Sequence, residues 1–256
     1  MLSLQDKTIL ITGASSGIGA ACAKIFAQAG AKLLLVARRQ ERLEQLAAEL
    51  SKASSIHLLT LDVGDRSSVE SALSTLPDSW STVDILINNA GLSRGLDKLY
   101  EGNFQDWEEM IDTNVKGLLY LTRCVVPGMV SRGRGHVVNL GSVAGRQTYP
   151  GGNVYCATKA AVRVISEGLK QDLLGTPVRV SSIDPGMVET EFSQVRFHGD
   201  AERAKRVYQG VTPLTPDDIA DVIFFCVTRP PHVNISEILL MPTDQAGVML
   251  LNKQTK

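Results

Sequence analysis

Short apolar runs alternate with longer amphipathic segments along most of the chain. Runs rich in Val, Ile and Leu predict seven β-strands, at residues 7–12, 32–37, 56–60, 84–88, 136–140, 178–183 and 238–241. Apolar residues at helical spacing predict helices at residues 20–29, 40–52, 66–76, 104–132, 153–174 and 216–228. The last helix has a start signal, with Thr215 as N-cap, Pro216 in the first turn and Asp218 at the third position.

Strict alternation of strand and helix predicts a parallel sheet with helices on both faces. We therefore expect an α/β, doubly wound sheet of the Rossmann type. No linker or internal repeat interrupts the pattern, so residues 1–256 are predicted to form one domain. In such folds the ligand crevice lies at the carboxyl ends of the strands. Several candidate residues follow predicted strand ends, namely Gly13, Asp62, Asn89, Ser142 and Pro185.

Composition narrows the possible classes of protein. Of 256 residues, 44% are hydrophobic and 21% charged, and the net charge is −1, which argues against nucleic-acid binding. No apolar stretch approaches the roughly 18 residues of a membrane span, and the first residues lack a secretory signal. The four cysteines contain no C-x-x-C pair, and the four histidines show no ligand spacing. We expect a cytoplasmic protein with reduced thiols and no metal site.

A glycine-rich turn follows the first predicted strand and opens the first helix. Its glycines are Gly13, Gly17 and Gly19 in the sequence T-G-A-S-S-G-I-G. Backbone N–H groups at such a turn and helix start favour an anion, because they have no partner within the helix. A structural turn is the alternative, but the position directly after the first strand favours a dinucleotide pyrophosphate. The intervening residues Ser15, Ser16 and Ile18 belong to the same predicted cradle.

Two arginines indicate which dinucleotide binds. Folds that bind NAD usually carry an Asp or Glu about 20 residues beyond the glycines, on the ribose 2′-hydroxyl. This chain has Arg38 and Arg39 at the end of the second strand. Guanidinium groups match a 2′-phosphate, so we predict NADP as the cofactor. A solvated basic pair at the start of the next helix is the alternative.

Tyr155 and Lys159 lie four residues apart on a predicted helix, and therefore on one face. Tyrosine has a pKa near 10, too high for easy proton transfer at neutral pH. A cation within about 4–6 Å lowers such a pKa by roughly 1–3, so Lys159 is expected to prepare Tyr155 as an acid and base. Ser142 follows the fifth strand, across the same crevice, where its hydroxyl can donate to the substrate oxygen. A turn-capping serine and a half-buried tyrosine are the structural alternatives.

Taken together, the motifs resemble the short-chain dehydrogenase/reductase family. They are T12-G-A-S-S-G-I-G19, N88-N-A-G91, Asn114 in D112-T-N-V-K-G117, Ser142, Y155-C-A-T-K159 and D184-P-G-M-V-E-T190. The resemblance implies a nicotinamide-dependent oxidoreductase that forms dimers or tetramers, and we expect a homotetramer. It also implies that Tyr155 is the acid and base, Lys159 its modulator and a ribose ligand, and Asn114 the holder of a relay water.

The same resemblance assigns further cofactor contacts. Asp62 and Val63 would border the adenine, and the ribose side would be formed by Asn89, Ala90 and Gly91. The nicotinamide would be bordered by Pro185, Gly186, Val188 and Thr190.

Variable segments, including E189-T-E-F-S-Q-V-R-F-H-G-D200 and M241-P-T-D-Q-A-G247, resemble the NADP-dependent 3-hydroxy acid dehydrogenases. That subfamily also oxidises serine and L-allo-threonine and reduces malonic semialdehyde. A small acid requires a cation beside the crevice. Arg196 is the first choice for binding it, and Arg146 is the rival.

Two other functions stay open. A 3-oxoacyl-thioester or general carbonyl reductase is the near alternative, although the near-neutral charge gives no sign of a basic surface for an acidic carrier. A non-catalytic regulator that senses NADP is the remote alternative.

Residues 187–211 carry few strand signals and are interpreted as a substrate lid over the cofactor.

Overall fold

The computed structural model describes residues 2–254. A parallel sheet of seven strands forms the centre of the molecule. The strands are β1 (Thr8–Thr12), β2 (Lys32–Ala37), β3 (Ile56–Thr60), β4 (Ile85–Asn88), β5 (Gly135–Leu140), β6 (Val178–Pro185) and β7 (Glu237–Leu240). Their order is β3-β2-β1-β4-β5-β6-β7, and every neighbouring pair is parallel. This confirms the predicted fold class. The direction of winding reverses between β1 and β4, where a crevice opens.

Nine α-helices connect and cover the strands within the described residues. They are α1 (Gly17–Gln28), α2 (Gln40–Leu50), α3 (Arg66–Ser74), α4 (Phe104–Ile111), α5 (Leu118–Ser131), α6 (Asn153–Asp172), α7 (Phe192–Arg196), α8 (Ala201–Val207) and α9 (Pro216–Val227). The predicted start of α9 is correct, because Thr215 and Asp218 form a reciprocal capping box. The predicted domain of residues 1–256 includes residues 1, 255 and 256, which lie outside the described range.

The core has two layers, one on each face of the sheet. Ile9 and Ile11 of β1 face a cluster that includes Phe26 of α1. Leu10, between them, faces a second cluster that includes Met129 of α5. Side chains alternate across a strand, so a strand with helices on both sides needs apolar residues at every position. This explains why the strands appear in the sequence as continuous apolar runs rather than alternating ones.

The predicted helix 104–132 is interrupted in the structure. Between α4 and α5 lies a π-helical turn, Asp112–Gly117, which the apolar periodicity does not indicate. Gly117 packs against Val63 so closely that a Cβ atom there would lie 2.8 Å from Val63 Cγ2. The turn also places the buried Asn114 toward the loop after β4. Such π-turns occur frequently at functional sites.

The segment predicted as a lid, residues 187–211, contains the short helices α7 and α8. Phe197 and Ser193 of this segment are buried, and the Tyr208 hydroxyl donates to the Val188 carbonyl. Lid closure stays a prediction. None of the helices between residues 2 and 254 combines the length and apolar character that crossing a bilayer requires.

Candidate active site

A cavity of about 570 Å³ opens at the carboxyl ends of the strands. Its size is typical of small-molecule and cofactor sites. The predicted residues that line it are Gly13, Ser15, Ser16, Gly17, Ile18, Arg38, Arg39, Asp62, Val63, Asn89, Ala90, Gly91, Ser142, Tyr155, Lys159, Pro185, Gly186, Val188, Thr190 and Arg196. Gly19, Asn114 and Arg146 are not part of the lining. The strand order therefore brings most of the predicted site together.

The glycine turn is shaped for close approach of a ligand to the backbone. Gly13 has φ +65°, and a Cβ atom there would lie 2.9 Å from Asn89 Nδ2. Gly19 has a packing role, because a Cβ atom at Gly19 would lie 2.4 Å from the Gly13 carbonyl oxygen. At the start of α1 the N-cap Ser16 makes no capping hydrogen bond. The N–H groups of the first turn thus remain available for an anion, which fits a pyrophosphate.

Thr12 and Asn89 hold the ends of β1 and β4 together beneath this turn. The Thr12 hydroxyl accepts from the backbone N–H groups of Asn89 (3.0 Å) and Ala90 (2.9 Å). In return, the Asn89 side-chain amide donates to the Thr12 carbonyl at 2.8 Å. These hydrogen bonds pair polar groups at the ends of β1 and β4 with each other, and they leave the crevice open. They explain the position of the N-N-A-G sequence, which begins with the last residue of β4.

Arg38 and Arg39 lie beside the glycine turn but differ in their contacts. Arg38 makes one long ion pair, from Nη1 to Asp62 Oδ2 at 3.4 Å. Arg39 donates from Nη2 to Ser16 Oγ (2.7 Å) and Ser15 Oγ (3.1 Å). Its Nη1 lies 2.9 Å from Glu191 Oε2. Both guanidinium groups are thus within one site at the glycine turn, as a 2′-phosphate would require.

Tyr155 and Ser142 lie at the other end of the cavity. Helix α6 begins at Asn153, so Tyr155 is in its first turn and Lys159 lies one turn further on. Ser142 precedes a short 3₁₀ turn, Val143–Gly145, and its hydroxyl accepts from the Ala144 N–H at 3.1 Å. That contact leaves the hydroxyl proton free to donate. A hydrogen bond with Ser142 is among the causes that lower the pKa of Tyr155.

Burial and the charge of Arg196 are the two largest effects on the pKa of Tyr155. Burial raises the pKa of Tyr155 to about 12, and the largest opposing effect is the nearby charge of Arg196. The Lys159 ammonium donates to the Leu140 carbonyl at 2.7 Å. Burial lowers the pKa of Lys159 itself to about 8. That Lys159 is the cation acting on Tyr155 stays a prediction.

Asn114 supports the site from behind the cavity wall. Its Oδ1 accepts from the Leu92 N–H, and its Nδ2 donates to the Leu92 carbonyl, each at 2.8 Å. Nδ2 also donates to Thr158 Oγ1 at 3.0 Å. The side chain thus ties the loop after β4 to α6, close to Tyr155. Its predicted part in a water relay stays a prediction.

Arg196 is the cation that faces Tyr155. Its guanidinium carbon lies 5.5 Å from the centre of the Tyr155 ring and 5.1 Å from that of Phe192. Nη2 donates to the Tyr149 hydroxyl at 3.1 Å, and Nε is buried without a hydrogen-bond partner among the described residues. A buried N–H without an acceptor is costly, so this group is suited to an anionic ligand.

Arg146, the rival to Arg196, points away from the cavity. Its Nη2 lies 2.7 Å from Asp184 Oδ2 and 2.6 Å from Glu237 Oε2. Asp184 is almost fully buried, so Arg146 neutralises a buried carboxylate next to β7. Tyr149, Phe192 and Glu191 are site residues to which the sequence assigned no role. Glu191 and Phe192 lie in the segment 189–200, and Tyr149 begins Y149-P-G-G-N-V-Y155, which also resembles the 3-hydroxy acid dehydrogenases; that likeness was the only available signal.

The family model described as short chain dehydrogenase matches residues 7–201. The chain belongs to this family. Its relatives include the NADP-dependent 3-hydroxy acid dehydrogenase YdfG of Escherichia coli strain K12, which is 48% identical over 93% of this chain and 96% of the relative. The NADP-dependent 3-hydroxy acid dehydrogenase of Schizosaccharomyces pombe is 46% identical over 96% of each chain.

Solved structures give the same result. A closed form of serine dehydrogenase complexed with NADP⁺ superimposes with a TM-score of 0.91 at 47% identity, covering 97% of this chain and all of the other. The predicted family is thus confirmed, and so is the likeness to the 3-hydroxy acid and serine dehydrogenases. The described residues contain no group of three or more His, Cys, Asp or Glu side chains placed to hold a metal ion.

Proposed function

We propose that this protein is an NADP-dependent oxidoreductase that acts on a short 3-hydroxy acid or a β-hydroxy amino acid. Substrates of this class include serine, L-allo-threonine and 3-hydroxypropionate, with malonic semialdehyde as a product or substrate. The observation that carries the proposal is the buried Nε of Arg196, which has no partner in the described chain and lies beside Tyr155. The names of the close relatives support it.

NADP supplies the hydride acceptor, and its reduced form the hydride donor. The residues that would hold the pyrophosphate are those of the glycine turn, and Arg38 and Arg39 would bind the 2′-phosphate. The adenosine would lie against another part of the cavity lining, formed by Asp62, Val63 and residues 89–91. The nicotinamide side would be bordered by Pro185, Gly186, Val188 and Thr190.

Tyr155 transfers the proton in this proposal. In reduction its hydroxyl donates a proton to the substrate carbonyl oxygen, and in oxidation the phenolate accepts one from the substrate hydroxyl. Ser142 donates a hydrogen bond to the same oxygen and orients it. Lys159 would bind the nicotinamide ribose with the ammonium protons that it does not use on the Leu140 carbonyl. Asn114 keeps the wall beside these groups in place.

Arg196 selects a substrate with a carboxylate. A guanidinium binds a carboxylate by charge-assisted hydrogen bonds, and Nε with an adjacent Nη forms a suitable fork. A 3-oxoacyl thioester has no carboxylate at this position, so Arg196 favours a free acid over the thioester alternative. The presence of Ser142, Tyr155 and Lys159 in one cavity favours an enzyme over a non-catalytic sensor of NADP.

Assembly and location complete the proposal. We propose a homotetramer, supported by apolar side chains exposed on the helices α4, α5 and α6, namely Phe104, Leu119 and Val164. A cytoplasmic location is supported by four free cysteines, Cys22, Cys124, Cys156 and Cys226. Light scattering of the purified protein tests the assembly, and a monomer at micromolar concentration would contradict it.

A spectrophotometric screen tests the function directly. The protein is assayed with NADP and NAD on 3-hydroxypropionate, 3-hydroxybutyrate and the stereoisomers of serine and threonine. In the reverse direction, malonic semialdehyde is compared with an acetoacetyl thioester. We expect NADP-dependent turnover of the free acids and little turnover of the thioester. Preference for the thioester, or tight NADPH binding without turnover of any substrate, would contradict the proposal.

A further inference from the structure

Glu191 connects the predicted lid to Arg42 of α2 and to Arg39, the residue immediately before that helix and beside the glycine turn. Its Oε2 lies 2.9 Å from Arg39 Nη1, and its Oε1 lies 2.6 Å from Arg42 Nη1. Burial raises the pKa of Glu191, but hydrogen bonds with Arg42 and Arg39 outweigh this effect and hold the pKa below its usual value. The carboxylate is therefore ionised at neutral pH. Glu191 also lies in the cavity lining, next to Arg39.

Arg39 has little capacity left for another anion in this arrangement. A guanidinium carries five N–H donors. Arg39 uses Nε on Ser15, Nη2 on both Ser15 and Ser16, and Nη1 on Glu191. Only one Nη1 proton has no acceptor among the described residues, so Arg39 cannot grip a phosphate bidentately. Bidentate binding is what makes arginine effective on phosphates.

We propose that Glu191 is an intramolecular competitor for the 2′-phosphate of NADP, and that the phosphate displaces its carboxylate from Arg39 on binding. The inference rests on the proposed NADP preference. A phosphate carries more negative charge than a carboxylate and offers three acceptor oxygens, so it replaces Glu191 at Arg39 while Arg42 retains the carboxylate. The ion pair is partly exposed, and such pairs contribute little stability, so displacement is easy.

The competition also links the cofactor to the substrate arginine. Glu191 immediately precedes α7, and Arg196 is the last residue of that helix. Arrival of the 2′-phosphate therefore removes one of the two ion pairs that hold the start of the same five-residue helix, which ends beside Tyr155. NAD has no 2′-phosphate, so it leaves the Glu191–Arg39 pair intact. Glu191 thus lowers the affinity for NADP. Its displacement from Arg39 also couples cofactor binding to the lid.

Adenosine 2′,5′-bisphosphate is the probe, because it carries the 2′-phosphate and lacks the nicotinamide. Adenosine 5′-monophosphate serves as the control ligand, and binding to the full chain is measured by calorimetry. The test variant is Glu191→Gln. The matched variant is Glu189→Gln, since Glu189 is an exposed residue of the same segment and makes no ion pair among residues 2–254.

If Glu191 occupies Arg39 about nine-tenths of the time, its loss tightens binding of the bisphosphate roughly tenfold. We expect this for Glu191→Gln, with monophosphate binding changed less than about twofold. Glu189→Gln should behave as wild type. Unchanged or weaker bisphosphate binding by Glu191→Gln would overturn the inference while the NADP preference stands. A wild-type protein that binds both nucleotides equally would overturn the NADP preference and the inference together.

Hydrogen exchange of the backbone tests the link to the lid. Saturating bisphosphate should raise amide exchange over residues 192–199 in the wild-type protein. In Glu191→Gln the exchange should already be high without ligand and respond little. Exchange in the wild type that does not respond to the bisphosphate would overturn the link.

Discussion

The guanidinium carbon of Arg196 lies 5.5 Å from the centre of the Tyr155 ring. Tyr155 belongs to the first turn of α6, whereas Arg196 is the last residue of α7. The contact therefore joins α6 to the predicted lid. Burial raises the pKa of Tyr155 to about 12, and Arg196 provides the largest effect in the opposite direction. The arginine that lowers the pKa of the proposed proton-transfer group is therefore also the cation that we propose binds the substrate.

The first prediction concerns the pH dependence of oxidation. If Tyr155 acts as the base in this direction, as we propose, the rate should rise with pH up to the pKa of its hydroxyl. Arg196→Met removes a cation that lowers this pKa, and the profile should shift to higher pH. The assay measures kcat/KM for an uncharged secondary alcohol between pH 6 and 11. Arg196→Lys should keep the wild-type profile, and superimposable profiles for wild type and Arg196→Met would contradict the prediction.

A second prediction concerns stability and Lys159. Burial lowers the pKa of Lys159 from 10.5 to about 8 in the folded protein. Between these two values the unfolded chain holds a proton that the folded protein has lost, so stability rises with pH across this window. Urea unfolding of wild type and Lys159→Met at pH 7 and pH 10 isolates the effect. Wild type should gain stability relative to Lys159→Met at pH 10, and a pH-independent difference would contradict the account.

The third prediction concerns cofactor selectivity. Hydrogen bonds to charged groups contribute about 1.5–3 kcal/mol each, so loss of two arginines should lower the NADPH-to-NADH ratio of kcat/KM about 100-fold or more. Arg38→Asp combined with Arg39→Ser is the test. Arg66→Ser is the control for lost charge, because Arg66 pairs with Glu70 on α3. A double variant with the wild-type ratio would show that the 2′-phosphate binds elsewhere.

A fourth prediction compares two glycines with positive φ. Gly13 (φ +65°) and Gly175 (φ +86°) both adopt a backbone conformation that costs about 1–2 kcal/mol for an alanine. Around Gly175 a Cβ atom would meet nothing within 4 Å, whereas at Gly13 it would meet Asn89 at 2.9 Å. Gly13→Ala should therefore destabilise the protein more than Gly175→Ala and also weaken NADPH binding. Equal free energies of unfolding for the two variants would contradict the tight fit at Gly13.

Much of the fold and cavity could be predicted because both depend on local patterns. The apolar run at residues 32–37 predicts β2 with the bounds found in the structure. Parallel strands end at one edge of the sheet, so residues that follow strand ends, such as Gly13 and Ser142, meet there. The π-turn at Asp112–Gly117 was not predicted, because the helical spacing of apolar residues continues through it.

The electrostatics of the site could not be predicted from spacing. Tyr155 and Lys159 share a helix face, yet Lys159 donates to the Leu140 carbonyl, which lies at the end of β5 and far from α6 in sequence. The Arg39–Glu191 pair joins residues 152 positions apart, and the spacing of residues in the sequence cannot predict such a distant contact. Arg196 was predicted to bind substrate, but its place beside Tyr155 depends on α7 and on the Tyr149 hydroxyl.

The most direct test is the steady-state oxidation of 3-hydroxybutyrate and its methyl ester with NADP by wild type and Arg196→Met. The acid carries the carboxylate that Arg196 is proposed to bind, and the ester does not. Loss of charge-assisted hydrogen bonds should lower kcat/KM for the acid roughly 10- to 150-fold, and that for the ester much less. An acid-to-ester ratio that is the same in both proteins would contradict the account.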